Sequence, residues 1–343
     1  MLKNLVYILL LVATLSLCSC NNSSKGVDDA VPSVYYWRTV FSLDSVESDF
    51  LKKYDVGRMY VRYFDVVVRD GKVMPNATIK FEQPMPAGIE VVPTVFIMEN
   101  CLSRGMDGIA GQLVDRILQM NETHDITGVK EIQIDCDWTI RSQEKYYAFL
   151  NEVGAALKEH GMRLSATIRL HQLSLTPPPV DYGVLMMYNT GALGEKTDRN
   201  PILDYRDVYP YLKHLRRYDL PLCAAWPTYE WNLLYDNKQF KAIVYSANVS
   251  DTTIYHKGST PGRYMVISDR VMPEPNSDGS DRVMFHVGDS LIVVRPTAEQ
   301  IMHIVEATEK ERPSLNKQVV IYSLDTKNIE NYDNEFFKAI FNR

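Results

Sequence analysis

Asp135 and Asp137 stand two residues apart in the segment Glu131-Ile-Gln-Ile-Asp-Cys-Asp-Trp-Thr139. Side chains at i and i+2 of an extended chain share a face. This spacing therefore puts both carboxyls, with Gln133, on one side of a strand, while Ile132, Ile134 and Cys136 take the other. Two carboxyls on an inward face cost free energy unless they are paired, hydrated or protonated. Their repulsion also drives their pKa values apart, which suits acid–base chemistry. The run Arg163–His171 offers a counter-charge: Thr167, Arg169 and His171 share the face opposite Ala166, Ile168 and Leu170. Arg169 and His171 are thus expected beside the aspartates. A buried ion-pair network that only fixes the fold would use the same residues.

A carboxylate-based hydrolase of glycosides needs a second carboxyl across the scissile bond. Glu230, within Trp226-Pro-Thr-Tyr-Glu-Trp231, is the leading candidate, making Asp135, Asp137 and Glu230 the expected catalytic set. All four tryptophans, Trp37, Trp138, Trp226 and Trp231, fall at or near the ends of β-rich runs, where aromatic faces could stack on sugar rings. Arg38, Arg62, Asp65, Glu99, Tyr188, Asn189 and Asp325 are further rim candidates. The chain has no GxGxxG after its first strand, no P-loop, no HExxH and no GxSxG. No cofactor is expected. Asp135, Asp137 and His171 could together hold a metal, but the histidines form no ligand triplet and no metal is expected.

The elements that must position these residues alternate along the chain. Candidate strands are Tyr35–Phe41, Arg58–Phe64, Val91–Ile97, Glu131–Asp137, Arg163–His171, Val184–Asn189, Leu222–Trp226 and Val319–Leu324. Between them lie amphipathic stretches: Ile109, Leu113 and Ile117 recur every four residues, and Ser142–His160 carries Tyr146, Phe149, Val153 and Leu157 on one face before Gly161. Asp207–Tyr218 is another short helix, and Thr297 with Gln300 forms a capping box. Strands alternating with helices predict a parallel α/β sheet, and eight strands close a (β/α)8 TIM-type barrel. In such a barrel the functional groups sit at the C-terminal ends of the strands. The alternation breaks between strands seven and eight. Residues from about 232 to 296 read as a β-rich insertion over the barrel mouth, with one strand at Gly262–Met272 and a hairpin of Arg282–Val287 and Leu291–Arg295 around Gly288-Asp289.

The 343 residues are 45% apolar and 23% charged, enough to bury a full core, and the net charge of -6 with no basic stripe argues against a nucleic-acid partner. Lys3 followed by the apolar run Leu5–Leu17 reads as a signal-peptide core, too short to span a bilayer comfortably. Leu17-Cys18-Ser19-Cys20 resembles the lipobox of bacterial lipoproteins, with Cys20 the better fit. The expected organisation is a signal peptide over 1–19, a tether over 20–32 and the barrel over 33–343. The mature chain would be held at the cell envelope, at the outer membrane, by lipid on Cys20. Cys101, Cys136 and Cys223, odd in number and widely spaced, argue against a disulfide framework.

Ile132–Thr139 resembles the strand-four motif of family 18 glycoside hydrolases, the chitinases and their relatives: alternating aspartates, an aromatic, then a catalytic glutamate. Met187-Tyr188-Asn189 is similar to that family's strand-six Met-x-Tyr-Asp element. The resemblance implies that Asp135 and Asp137 match the motif aspartates. It also implies that Tyr188 matches the tyrosine which, with the acid, assists the substrate's acetamido group. The proton-donating glutamate is replaced by Thr139 and the strand-six acid by Asn189, and threonine is no general acid near neutral pH. Ile134–Thr139, Thr167–Gln172 and Met187–Asn189 also resemble stretches of a group of bacterial lipoproteins with glycosidase-like barrels. Two readings follow: a glycoside-hydrolase-like lipoprotein acting on a polysaccharide, or an inactive barrel that only binds glycan.

Overall fold

The computed structural model describes residues 30–106, 108–193, 199–236, 239–273 and 282–343. The signal segment, Cys20 and the tether as far as residue 29 lie outside the described residues.

Eight parallel strands form the barrel: β1 Ser33–Tyr36, β2 Arg58–Arg69, β3 Glu90–Ile97, β4 Glu131–Cys136, β5 Arg163–Ile168, β6 Tyr182–Met186, β7 Leu222–Pro227 and β8 Val319–Tyr322. Each pairs with its sequence neighbour, and β1 pairs with both β2 and β8, so the sheet closes. Helices α1 Ser45–Lys53, α2 Ile109–Thr123, α3 Gln143–Glu159, α4 Tyr205–Leu215, α5 Ala298–Glu311 and α6 Asn334–Phe341 lie among the strand connections and after β8. Helix α5 opens on the expected Thr297/Gln300 capping box, and α3 gives way to Gly161, whose φ of +67° is the left-handed conformation a C-terminal stop requires. The outward side chains Ile132, Ile134 and Cys136 of β4 are fully buried, as are Tyr146, Val153 and Leu157 of α3. Removing such an apolar side chain from water contributes about 1.5–3 kcal/mol.

The barrel interior is unusually polar, and its groups are paired. Toward the N-terminal ends, Arg58 donates to Gln318 Oε1 at 2.9 Å and pairs with Glu90 at 3.1 Å. The buried Glu131 accepts from Ser165 Oγ at 2.5 Å and from the Tyr182 hydroxyl. With its proton turned to Glu131, Tyr182 must accept from Tyr60 at 2.9 Å, and Gln318 Nε2 donates to Tyr60 at 3.0 Å. The result is one directional chain of donors ending on a carboxylate, an arrangement in which each bond polarises the next. This lower layer fills the barrel interior toward the N-terminal ends of the strands with paired, buried side chains.

Several elements end differently from the sequence expectation. Strand β5 stops at Ile168, because Gln172 folds back to accept from the Arg169 amide at 2.8 Å and to donate to the Trp138 carbonyl at 2.8 Å. Leu170–Ser174 is therefore a 3-10 turn. Strand β2 runs beyond Phe64 through an irregularity between Arg62 and Phe64 into a hairpin with Lys72–Asn76. Strand β1 ends at Tyr36, and Val40–Phe41 pairs instead with Lys80–Phe81.

Between β7 and α5 the strands Trp231–Asp236, Gln239–Ile243, Tyr255–Lys257, Arg263–Val266 and Ser290–Val294 form an antiparallel sheet with a small core of its own around Leu234, Val266, Phe285 and Leu291. Gly262–Met272 is two strands, Arg263–Val266 and Arg270–Pro273, separated by a turn. The expected hairpin around Gly288-Asp289 is also corrected. Arg282–Phe285 pairs with Arg270–Pro273, while Ser290–Val294 lies between Trp231–Asp236 and Arg263–Val266. The buried Asp289 carboxylate accepts from the His286 amide at 2.9 Å and pairs with Lys241 at 3.1 Å, turning the chain from one layer to the other. Hydrophobic alternation marks strands but does not choose their partners.

Candidate functional site

The upper layer of the barrel is built by the same alternation as the lower. Glu131, Gln133, Asp135 and Asp137 climb one face of β4 and its extension. Gln133 accepts from Tyr35 at 2.6 Å, and Asp135 accepts from Thr167 at 2.6 Å. Asp135 is 4% exposed, whereas the Asp137 side chain is 58% exposed. Arg169 joins them, with Nη2 3.5 Å from Asp135 and Nε donating to Asp137. Burial pushes the Asp135 carboxyl above its ordinary pKa; Arg169 opposes that shift and the Asp137 charge adds to it. Burial works against the charge on Arg169 as well, yet the two aspartates raise its pKa above the ordinary guanidinium value. The result is one sequestered carboxyl, one open carboxylate and a fixed cation between them.

Tyrosines make the walls. Tyr188 stacks on Tyr322 with centroids 4.6 Å apart, and Tyr229 meets both edge-on. The Tyr188 hydroxyl donates to Met186 Sδ at 2.8 Å, and burial, then Tyr322, raises its pKa well above normal, so it holds its proton. Trp37, half-buried, packs edge-on against Tyr35 and lies near Tyr322, with the Arg62 guanidinium 5.4 Å from its ring centre. Arg62 donates to Asp65 at 2.8 Å, so these two satisfy each other beside the irregularity in β2. A cleft of about 270 Å3 opens between β5 and β6, lined by Asp137, Arg169, His171, Tyr188, Asn189 and Tyr211. Asn189 adopts φ +55°, a conformation asparagine tolerates, and accepts from the Tyr229 hydroxyl.

The structure thus gathers Asp135, Asp137, Arg169, Tyr188 and Asn189 at one end of the barrel, with Trp37 just after β1 and Arg62 and Asp65 at the irregularity within β2. Others lie elsewhere. Trp138 is fully buried against Tyr146 and Tyr147 of α3, because it shares the outward parity of Cys136. Trp226 is fully buried behind β7, its Nε1 donating to Asn316 at 3.2 Å. Neither ring can meet a sugar. Arg38 turns away toward α1, donating to Glu47 at 2.7 Å and to the Ser42 carbonyl at 3.1 Å, with Asp325 3.9 Å away. His171 sits exposed on the lip, on the turn after β5, and not inside. Glu230 is exposed and faces Arg295 at 3.4 Å. Tyr322 and Tyr229 escaped the sequence reading. Tyr322 could have been found from its place at the end of strand eight. Among the described residues no group of three histidine, cysteine or acidic side chains is placed to hold a metal.

No protein-family model matches the sequence, and no curated protein does. Solved structures do share the fold. A chitinase from Chromobacterium violaceum ATCC 12472 superposes with a TM-score of 0.54 at 13% identity, covering 91% of this chain and 98% of that one. The spore cortex-lytic enzyme SleL of Bacillus megaterium QM B1551 gives a TM-score of 0.52 at 10% identity over 91% of this chain and 73% of its own. Catalytic domain 2 of the Ostrinia furnacalis Group II chitinase, in complex with a chito-oligosaccharide, gives a TM-score of 0.51 at 11% identity over 91% of this chain and 95% of its own. At these identities the likeness is one of architecture, the closed (β/α)8 barrel.

Proposed function

We propose that this barrel binds a polysaccharide across the C-terminal ends of its strands and cleaves it by carboxylate acid–base chemistry at Asp137. The observation that carries the reading is the Asp135–Arg169–Asp137 cluster at the bottom of a tyrosine-walled mouth in a chitinase-like barrel. Asp137 is the group open to a ligand. Asp135, sequestered and bonded to Thr167, sets its electrostatics, and Arg169 fixes its orientation. Tyr188 and Asn189 border the cleft where a sugar would lie, and Trp37 offers an apolar face nearby.

A pair of carboxyls requires a partner for Asp137. Glu230 is the choice the sequence suggests, and it is turned to Arg295. Glu99, after β3, accepts from both Thr139 and Ser142 on the loop that carries Asp137. We assign the partner role to Glu99. Thr139 in the position of an acid favours one other reading, a barrel that binds glycan without cleaving it.

The test is a glycan panel followed for both binding and reducing-end release. Release that is lost in Asp137→Asn while binding persists supports the enzyme. Binding without release, unchanged by that substitution, leaves only the glycan-binding reading. In the same proposal the chain is exported and anchored at the cell envelope through a lipid on Cys20. Incorporation of labelled palmitate in the wild type, abolished by Cys20→Ala, is the expected outcome, and unlabelled wild type would remove the anchor.

A further inference from the structure

A second hollow lies beside the cleft. It holds about 360 Å3 between the connection after β6 and the inserted sheet, and its walls carry Arg199, Arg263, Arg295, Asn200 and Tyr235, with no carboxylate in the lining among the described residues. The three guanidiniums come from three separate segments of the chain. Two are held from behind: Arg199 by Asp207 of α4, and Arg295 by Glu230 and Asn331. Arg263 is exposed and acts electrostatically on Tyr235, and among the described residues no carboxylate pairs with it. Its position is set by a close backbone approach. Gly262 has φ +73°, and a Cβ there would lie 2.9 Å from the Val293 carbonyl oxygen, so only glycine lets the turn before Arg263 sit against that strand.

The two hollows adjoin along the chain. Asn189 and Thr190 line the first, Ala192 and Leu193 the second, with Gly191 between. A ligand filling both is longer than one sugar unit. Arg199 and Arg295 already have carboxylate partners, so Arg263 is the cation of this hollow that an anionic ligand would pair with. A guanidinium fork matches the planar oxygen pair of a carboxylate or the oxygens of a sulfate.

Resting on the glycan reading above, we propose that this hollow binds the anionic substituent, carboxylate or sulfate, of an extended acidic polysaccharide whose neighbouring unit lies at Asp137. The polymer is thereby selected for charge at a place remote from the reacting bond.

The experiment titrates the full chain with three probes: a neutral chito-oligosaccharide, a hyaluronan fragment carrying carboxylates, and a chondroitin sulfate fragment. At low ionic strength at least one anionic probe is expected to bind roughly tenfold tighter than the neutral one, and added salt erases the difference. Arg263→Gln is expected to lower anionic affinity roughly tenfold and leave neutral binding unchanged. Comparing the two anionic probes separates carboxylate from sulfate. Equal affinity for neutral and anionic probes, or an Arg263→Gln variant with undiminished anionic binding, overturns this inference and leaves the glycan reading standing. Absence of binding by every glycan tested removes both.

Discussion

The Thr139 hydroxyl donates to Glu99 Oε1 at 2.9 Å, tying the loop after β4 to the loop after β3. Ser142 donates to the same oxygen at 2.7 Å and its Oγ accepts from the Thr139 amide at 3.0 Å, so Glu99 is fastened to the loop that presents Asp137. Thr139 follows Asp137 by two residues, just beyond the end of β4. Glu99 is thus the carboxylate tied directly to the loop that presents Asp137.

Glu99→Gln keeps an amide oxygen for the two hydroxyls and removes only the ionisable group. Glycan hydrolysis is expected to fall by about 10²-fold or more, with binding retained, whereas Glu230→Gln costs less than about tenfold. Initial rates of reducing-end release for the two variants check this. The opposite order would return the partner role to Glu230.

Arg169 is the counter-charge for a buried carboxylate, so Arg169→Ala leaves Asp135 unpaired. The expected loss is about 3–5 kcal/mol near neutral pH. Burial raises the Asp135 pKa in the folded protein, and without Arg169 it rises further. The folded variant then binds a proton that the unfolded chain, near the ordinary value of about 3.9, has released. The penalty is therefore present above the folded pKa and shrinks as pH falls through it toward the unfolded one. Denaturant titrations across the acid range read this directly, and a penalty independent of pH would contradict it.

Asp204 caps α4, which lends Tyr211 to the cleft. Its side chain accepts from the Arg206 amide at 3.0 Å and pairs with the Arg206 guanidinium at 2.8 Å, and these bonds, the guanidinium foremost, lower its pKa to about 2. A depressed folded pKa contributes stability above the unfolded value that is lost as pH falls toward 2. Asp204→Ala is expected to cost about 1 kcal/mol at neutral pH and progressively less below pH 4, measured by thermal melts in parallel with wild type.

The tryptophans divide by burial. Acrylamide should reach Trp37 and Trp231, which are half-buried, and spare Trp138 and Trp226. A glycan that changes the fluorescence should lose most of that effect in Trp37→Phe. Trp226→Phe should leave the glycan response intact while costing about 1–3 kcal/mol for the unpaired Asn316. A ligand response that survives Trp37→Phe and vanishes in Trp226→Phe would reverse the assignment.

Much of the site was legible before folding because strand parity is local. Once Ile132, Ile134 and Cys136 face the helices, Asp135 and Asp137 must face inward, and Trp138 must follow Cys136 outward. Taking Trp138 as a rim residue overrode that rule in favour of its nearness to a strand end. Trp226 obeys the same alternation: Cys223 sits beside the inward Tyr60 and Tyr182, so Trp226, three residues on, faces outward. Parity fails where a strand stops, which is why His171, two residues beyond Arg169, left the interior when Gln172 closed its turn.

The amino-acid sequence alone determined the alternation of strands and helices, the inward rows of β4 and β5, and the caps of α3 and α5, because each depends on residues within a few positions of one another. Only the tertiary structure decided that Glu99 meets Thr139, that Glu230 turns to Arg295, and that Arg199, Arg263 and Arg295 converge on one hollow. Those neighbours are far apart in the chain. Barrel closure and the pairing of the inserted strands bring them together, and no local periodicity carries that information.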